Sequence, residues 1–146
     1  MTRQPKPVVI VMIEDDDGHA RLIDINIRRA GVTNEIQSFR DGSSALKFLR
    51  SPAVRANQDQ SYLILLDLNL PDMTGIDILA KLKADETLRR SPIIVLTTTD
   101  DQREIQRCYD LGANVYITKP LNYDSFAHAI RQLGLFLSVM QIPEAN

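Results

Sequence analysis

The sequence predicts a three-layer α/β/α domain built on one doubly wound, five-stranded parallel sheet. Three observations carry that prediction. Five short apolar runs recur along the 146 residues, with amphipathic stretches between them. Four of the runs are rich in β-branched residues and apolar at successive positions, the pattern of strands covered on both faces. Cap residues and glycines stand at the ends of the intervening stretches, where helices begin and stop. Strand and helix signals in alternation specify a parallel sheet with right-handed crossovers.

The first strand is read at Val8 to Ile13 (VVIVMI). Ala20, Ile23, Ile27 and Ala30 then mark one face of a helix that Asp16 or Asp17 can cap and Gly31 stops. Glu35 to Phe39 (EIQSF) is shorter and alternates, as at a sheet edge, and Ala45, Leu46 and Leu49 give the second helix its buried face. Ser51 to Ser61 is polar and contains proline, so it reads as a surface loop. Tyr62 to Leu66 (YLILL) is the third strand, and Ile76, Leu79 and Leu82 after Gly75 make the third helix. Ile93 to Leu96 is the fourth strand, followed by a largely polar helix in which Cys108 is a small hydrophobe. Val115 to Thr118 is the fifth strand.

The last helix carries Phe126, Ile130, Leu133, Leu137 and Met140 at spacings of four and three, enough to cover a sheet face. Leu135, Phe136 and Val139 extend the apolar surface beyond that stripe. A wide, deeply buried helix is one explanation. The preferred one is a self-association or partner surface formed by Phe136, Leu137, Val139 and Met140, with a symmetric dimer its simplest form. Residues 1–7 are expected as a flexible tail, 8–140 as the domain and 141–146 as a second tail.

An apolar content of 44% and a charged content of 25% are those of a soluble globular protein. The 17 basic residues are scattered and the net charge is -2, which argues against a nucleic-acid footprint. The apolar runs are too short to span a membrane, and a single cysteine forms no intramolecular disulfide. No secretory signal precedes the first strand, so the expected compartment is the cytoplasm.

The ionisable residues fall at one place relative to each strand. Glu14 and Asp15 follow the first run, Asp67 the third, Thr97 the fourth and Lys119 the fifth. The carboxyl ends of parallel strands share one edge, where ligands bind. Three carboxylates about 5 Å apart at an effective dielectric near 20 repel by roughly 3 kcal/mol per pair, on the order of 10 kcal/mol in all. Protons or a divalent cation must relieve that repulsion. An all-oxygen donor set suits Mg²⁺. With Lys119 as a further cation and Thr97 as a hydroxyl donor, these are the parts of a phosphoryl-transfer site.

The motifs "IEDD" at Ile13 to Asp16, "LLDLNLPDMTG" at Leu65 to Gly75, "VLTTT" at Val95 to Thr99 and "DLGANVYITKP" at Asp110 to Pro120 stand in order along the chain. Thr97 lies thirty residues after Asp67, and Lys119 twenty-two after Thr97. On these residues the whole chain resembles the receiver domain of two-component response regulators. "LLDLNLP", "VLTT" and "YITK" are most similar to stand-alone regulators paired with phytochrome-type histidine kinases.

The resemblance implies a flavodoxin-like fold with strand order 2-1-3-4-5 and five helices. It implies that Asp67 accepts a phosphoryl group from a phosphohistidine on a sensor histidine kinase, with a bacteriophytochrome as the narrower expectation. Glu14, Asp15, Asp67 and the backbone carbonyl of Asn69 would hold Mg²⁺, and Thr97 and Lys119 would bind the phosphoryl oxygens. Tyr116 would respond to movement of Thr97, and Pro120 would follow a cis peptide bond. Phosphorylation would then reshape the surface of helix 4, strand 5 and helix 5. Glu14 departs from the commoner Asp, and its longer side chain would reach the metal through water.

Such a protein is a signalling phosphoacceptor that assists its own phosphotransfer and dephosphorylation. An aspartate-nucleophile phosphatase would need a second Asp two residues after the nucleophile, where this chain has Asn69. A flavin carrier would need a Ser/Thr-rich phosphate loop after the first strand, where this chain has acids. His19 and His128 are expected to be ordinary helix residues.

Overall fold

A computed structural model describes residues 7–57, 59–98, 100–119 and 122–139, with Tyr123 and residues 134–139 described by backbone alone. The principal elements alternate along the chain: β1 (Val9–Ile13), α1 (Asp17–Arg29), β2 (Ile36–Phe39), α2 (Gly42–Leu49), β3 (Tyr62–Leu66), α3 (Gly75–Ala84), β4 (Ile93–Thr97), α4 (Gln102–Asp110), β5 (Val115–Thr118) and α5 (Tyr123–Val139). All strand pairs are parallel, in the order β2-β1-β3-β4-β5.

The two-residue period of the strands divides the core into two layers. Ile10 and Met12 of β1, Leu63 and Leu65 of β3, and Ile94 and Leu96 of β4 pack with Ala20, Ile23 and Ile27 of α1 and with Phe126, Ile130 and Leu133 of α5. The intervening residues, Val11, Ile13, Ile64, Leu66, Ile93 and Val95, face Leu46 and Leu49 of α2, Leu79 and Leu82 of α3, and Cys108 of α4. Both faces of the three inner strands are thus closed by helices, which explains their unbroken apolar runs.

Helix starts follow from side-chain caps. Asp16 accepts from His19 N at 2.9 Å, Asp41 from Ser44 N at 2.7 Å and Thr74 from Asp77 N at 3.1 Å. Helices α1 and α4 are followed by Gly31 and Gly112, whose φ of 94° and 109° only glycine adopts without strain.

Two expectations need correction. The stretch from Ser51 to Ser61 is not wholly loop, because Pro52–Ala56 forms a short helix. Ser51 caps it and Pro52 opens it, a start signal independent of the polar composition. The fifth strand is not buried on both faces. It is the second edge of the sheet, with Val115, Tyr116 and Ile117 half-buried and Thr118 exposed. A smaller shift concerns Thr97, which is the last residue of β4 rather than the first beyond it.

Pro120, Met140 and both ends of the chain, 1–6 and 141–146, lie outside the described residues, as do the side chains of Phe136, Leu137 and Val139. Among the described residues no helix is long and apolar enough to cross a membrane.

Candidate functional site

The site forms where β1, β3 and β4 end. Glu14 is still held by the sheet, its N–H donating to Phe39 O at 3.0 Å, and Asp67 N donates to Ile13 O at 3.0 Å. These two bonds fix Glu14 and Asp67 side by side at the ends of neighbouring strands. Lys119 is fixed in the same way, its N–H donating to Thr97 O at 2.6 Å across β4 and β5.

The side chains converge as expected from the sequence. Glu14, Asp15 and Asp67 each offer a carboxylate oxygen, and these oxygens lie within 4.8 Å of one another. Glu14 and Asp67 are buried, whereas Asp15 is exposed. Lys119 is buried among them, bonded through Nζ to Glu14 Oε1 and to Asp67 Oδ2, the latter at 3.1 Å. Asn69 N donates to Asp67 Oδ1 at 3.1 Å, and Asn69 Nδ2 donates to Thr97 Oγ1 at 3.3 Å. Thr97 is fully buried. Tyr116 is half-buried on β5, and its N–H donates to the Tyr109 hydroxyl at 3.1 Å. Burial, chiefly, pushes the Tyr116 phenol up to about 12.

Burial also pushes Glu14 up to about 8, helped by its hydrogen bond with Asp67 and opposed by Lys119. The charge balance therefore differs from the simplest reading of the sequence. Protons and divalent cations are not the sole remedies for three crowded carboxylates, because the ammonium of Lys119 is inserted between two of them. The oxygen set still fits a hard divalent cation: three carboxylate donors converge with no thiolate among them, as Mg²⁺ or Mn²⁺ requires.

His19 is the residue that sequence reasoning misplaced. It is no ordinary helix residue: its Nδ1 lies 3.1 Å from Lys119 Nζ and 3.9 Å from Glu14 Oε1. Its ring meets Phe126 edge-on at 5.4 Å. A signal was available, since the first turn of a helix that follows a parallel strand lies at the carboxyl edge of the sheet. His128 stays exposed on α5, its Nε2 3.5 Å from Gln132 Nε2.

Asp72, in the loop after β3, is a further residue that shapes the surroundings of the site. Its carboxylate accepts from Gly42 N at 2.9 Å and Ser43 N at 2.8 Å, and also from the Ser43 hydroxyl. It ties the loop after β3 to the start of α2. These bonds, the hydroxyl first, hold Asp72 down at about 2. The other end of that loop is fixed by close approach: a Cβ on Gly75 would lie 2.5 Å from Leu68 Cα and 2.6 Å from the Asp67 carbonyl oxygen.

Known proteins are similar to this chain in sequence and fold. The sequence model of the response regulator receiver domain matches residues 10–131. The response regulator Rcp1 of Synechocystis is 33% identical over 140 residues, 95% of each chain. The crystal structure of the Mn²⁺-bound form of a response regulator Rcp1 superposes with a TM-score of 0.84 at 30% identity, covering 94% of this chain and 99% of that one. A response regulator receiver domain from Rhodospirillum rubrum superposes with a TM-score of 0.90 at 68% identity, covering 94% of this chain and 99% of that one. The phosphorylated cyanobacterial phytochrome response regulator RcpA gives 0.83 at 37% identity over 93% and 98%. With the fold, the strand order and the family match in agreement, the chain belongs to the response regulator receiver domain family.

Proposed function

We propose that Asp67 is the phosphoacceptor of this receiver, loaded from the phosphohistidine of a sensor histidine kinase in a Mg²⁺-dependent step. The observation that carries this reading is the convergence of Glu14, Asp15 and Asp67 within 4.8 Å, with Lys119 Nζ 3.1 Å from Asp67. An Asp67 oxygen attacks phosphorus, the P–N bond to the kinase imidazole breaks, and its electron pair returns to the ring nitrogen. The product is an acyl phosphate. Glu14, Asp15, Asp67 and the Asn69 backbone carbonyl would hold Mg²⁺, which when bound neutralises charge on the phosphoryl oxygens. Lys119 leaves its carboxylate partners for a phosphoryl oxygen, and Thr97 turns its hydroxyl to another.

Two relatives support this chemistry: RcpA was crystallised phosphorylated and Rcp1 with Mn²⁺. The likeness to RcpA favours a phytochrome-type kinase as partner. Further parts of the reading are a cytoplasmic location, a receiver unit of residues 8–140 flanked by short tails, a cis peptide before Pro120, and a Tyr116 side chain that follows Thr97. The receiver also aids its own dephosphorylation. The signal leaves through the α4–β5–α5 surface, and two copies associate through Phe136, Leu137, Val139 and Met140. Charging Phe136 and Leu137 together as Asp should halve the mass measured by light scattering; an unchanged mass removes the dimer.

Incubation with acetyl phosphate and Mg²⁺, followed by intact mass measurement, tests the core of the proposal. The parent should gain one phosphoryl group and Asp67→Asn none. Equal labelling of the two would refute it.

A further inference from the structure

We propose that His19 is a positioning residue for Lys119, holding its ammonium from full engagement with the carboxylates so that it meets the phosphoryl oxygens as they arrive. The inference deepens the assignment of Asp67 as phosphoacceptor and rests on it. An ammonium has three N–H donors and no acceptor. In the described structure Lys119 has three partners, one for each donor: Glu14 Oε1, Asp67 Oδ2 and His19 Nδ1. His19 Nδ1 must accept, so its ring carries its proton on Nε2.

The three acceptors are not equivalent during transfer. Glu14 and Asp67 would hold the divalent cation, and Asp67 also offers an oxygen to phosphorus. His19 takes no part in either and remains available throughout. Lys119 is 4% exposed, so little water can replace a lost partner. The His19 backbone N–H donates to the Asp16 cap at 2.9 Å, which fixes the start of α1, and the His19 ring meets Phe126 of α5 edge-on at 5.4 Å. Without the imidazole, a buried N–H is left unsatisfied and the ammonium is drawn wholly onto the carboxylates, away from the incoming oxygens.

The test separates binding from transfer in the full chain. His19→Phe keeps the ring packing and removes the acceptor, His19→Leu removes both, and His19→Asn restores a short-reach oxygen acceptor. Mg²⁺ affinity is measured by calorimetry, and labelling of Asp67 by acetyl phosphate is followed at saturating Mg²⁺. Loss of one hydrogen bond to a charged donor predicts labelling about tenfold slower in His19→Phe and His19→Leu. Mg²⁺ affinity should weaken by less than the rate, because the ammonium shares the carboxylates the cation would use, and His19→Asn should recover most of the rate. The inference is overturned if both acceptor-free variants label at the parent rate, or if Mg²⁺ affinity weakens by the same factor as the rate. It is also overturned if His19→Asn is as slow as His19→Phe. A parent labelled on Asp67 beside equally fast variants removes this inference alone; a parent that takes up no phosphoryl group removes the phosphoacceptor reading as well.

Discussion

Replacing Lys119 with Met removes the cation at the centre of the site while keeping most of its apolar stem. Lys119 Nζ lies 3.1 Å from Asp67 and closer to Glu14. At an effective dielectric near 20, a contact at that distance is worth about 5 kcal/mol, so the two together give roughly 10 kcal/mol of attraction. Three carboxylate pairs within 4.8 Å repel by about 3.5 kcal/mol each, again roughly 10 kcal/mol. With all three acids ionised, which for Glu14 requires a pH above about 8, the ammonium and the acids would nearly balance before any metal binds. Without Lys119 the repulsion is limited only by proton uptake at Glu14. Breaking a buried pair by removing one partner costs about 3–5 kcal/mol, the expected loss for Lys119→Met in EDTA at about pH 9, where Glu14 is ionised. Because a bound cation replaces part of the missing charge, Mg²⁺ should stabilise the variant by more than it stabilises the parent. Urea unfolding with and without Mg²⁺ measures both quantities. Equal stability of variant and parent in EDTA would show that the ammonium is not the internal counter-ion.

Three further outcomes follow from the same geometry. Glu14 is raised to about 8 from 4.5, so between those values the folded chain holds a proton that the unfolded chain releases. In EDTA, stability should be highest below pH 4.5 as far as this group is concerned, and should fall as pH rises toward 8 by up to about 1.4 kcal/mol per unit. Urea midpoints at pH 5.5, 6.5 and 7.5 check the sign, and Glu14→Gln should flatten the slope. Gly75→Ala places a methyl group against Leu68 Cα and the Asp67 carbonyl, so it should cost roughly 1–3 kcal/mol and weaken Mg²⁺ binding by calorimetry. Cys108 is fully buried and burial raises its thiol pKa, so a thiol reagent should react slowly in buffer and at once in denaturant.

What could be read from the chain depends on whether a feature is local. The inner strands were legible because Ile10 to Ile13, Leu63 to Leu66 and Ile93 to Leu96 need apolar residues at successive positions to meet helices on both faces. The acids and Lys119 were legible because each follows a strand, and parallel strands end together. The exposure of β5 was not, since Val115, Tyr116 and Ile117 have the same β-branched and aromatic character on an edge as inside. The short helix after Ser51 was hidden by its polar composition, although the Ser-Pro start signal was present. His19 was missed because its partner lies a hundred residues away. The acidic run before it draws notice to metal ligands rather than to an acceptor for Lys119. The role of Lys119 as counter-ion was hidden for the same reason. The sequence places Lys119 at the same sheet edge as the acids, but the insertion of its ammonium between Glu14 and Asp67 is set by side-chain packing.

The most direct measurement locates the phosphoryl group. Protein treated with acetyl phosphate, with Mg²⁺ or with EDTA, is reduced with borohydride and mapped by peptide mass spectrometry, which reads an acyl phosphate as homoserine. A Mg²⁺-dependent phosphoacceptor at Asp67 predicts conversion there with Mg²⁺ and none in EDTA. Conversion at another carboxylate, or the same conversion at Asp67 without a divalent cation, would contradict it.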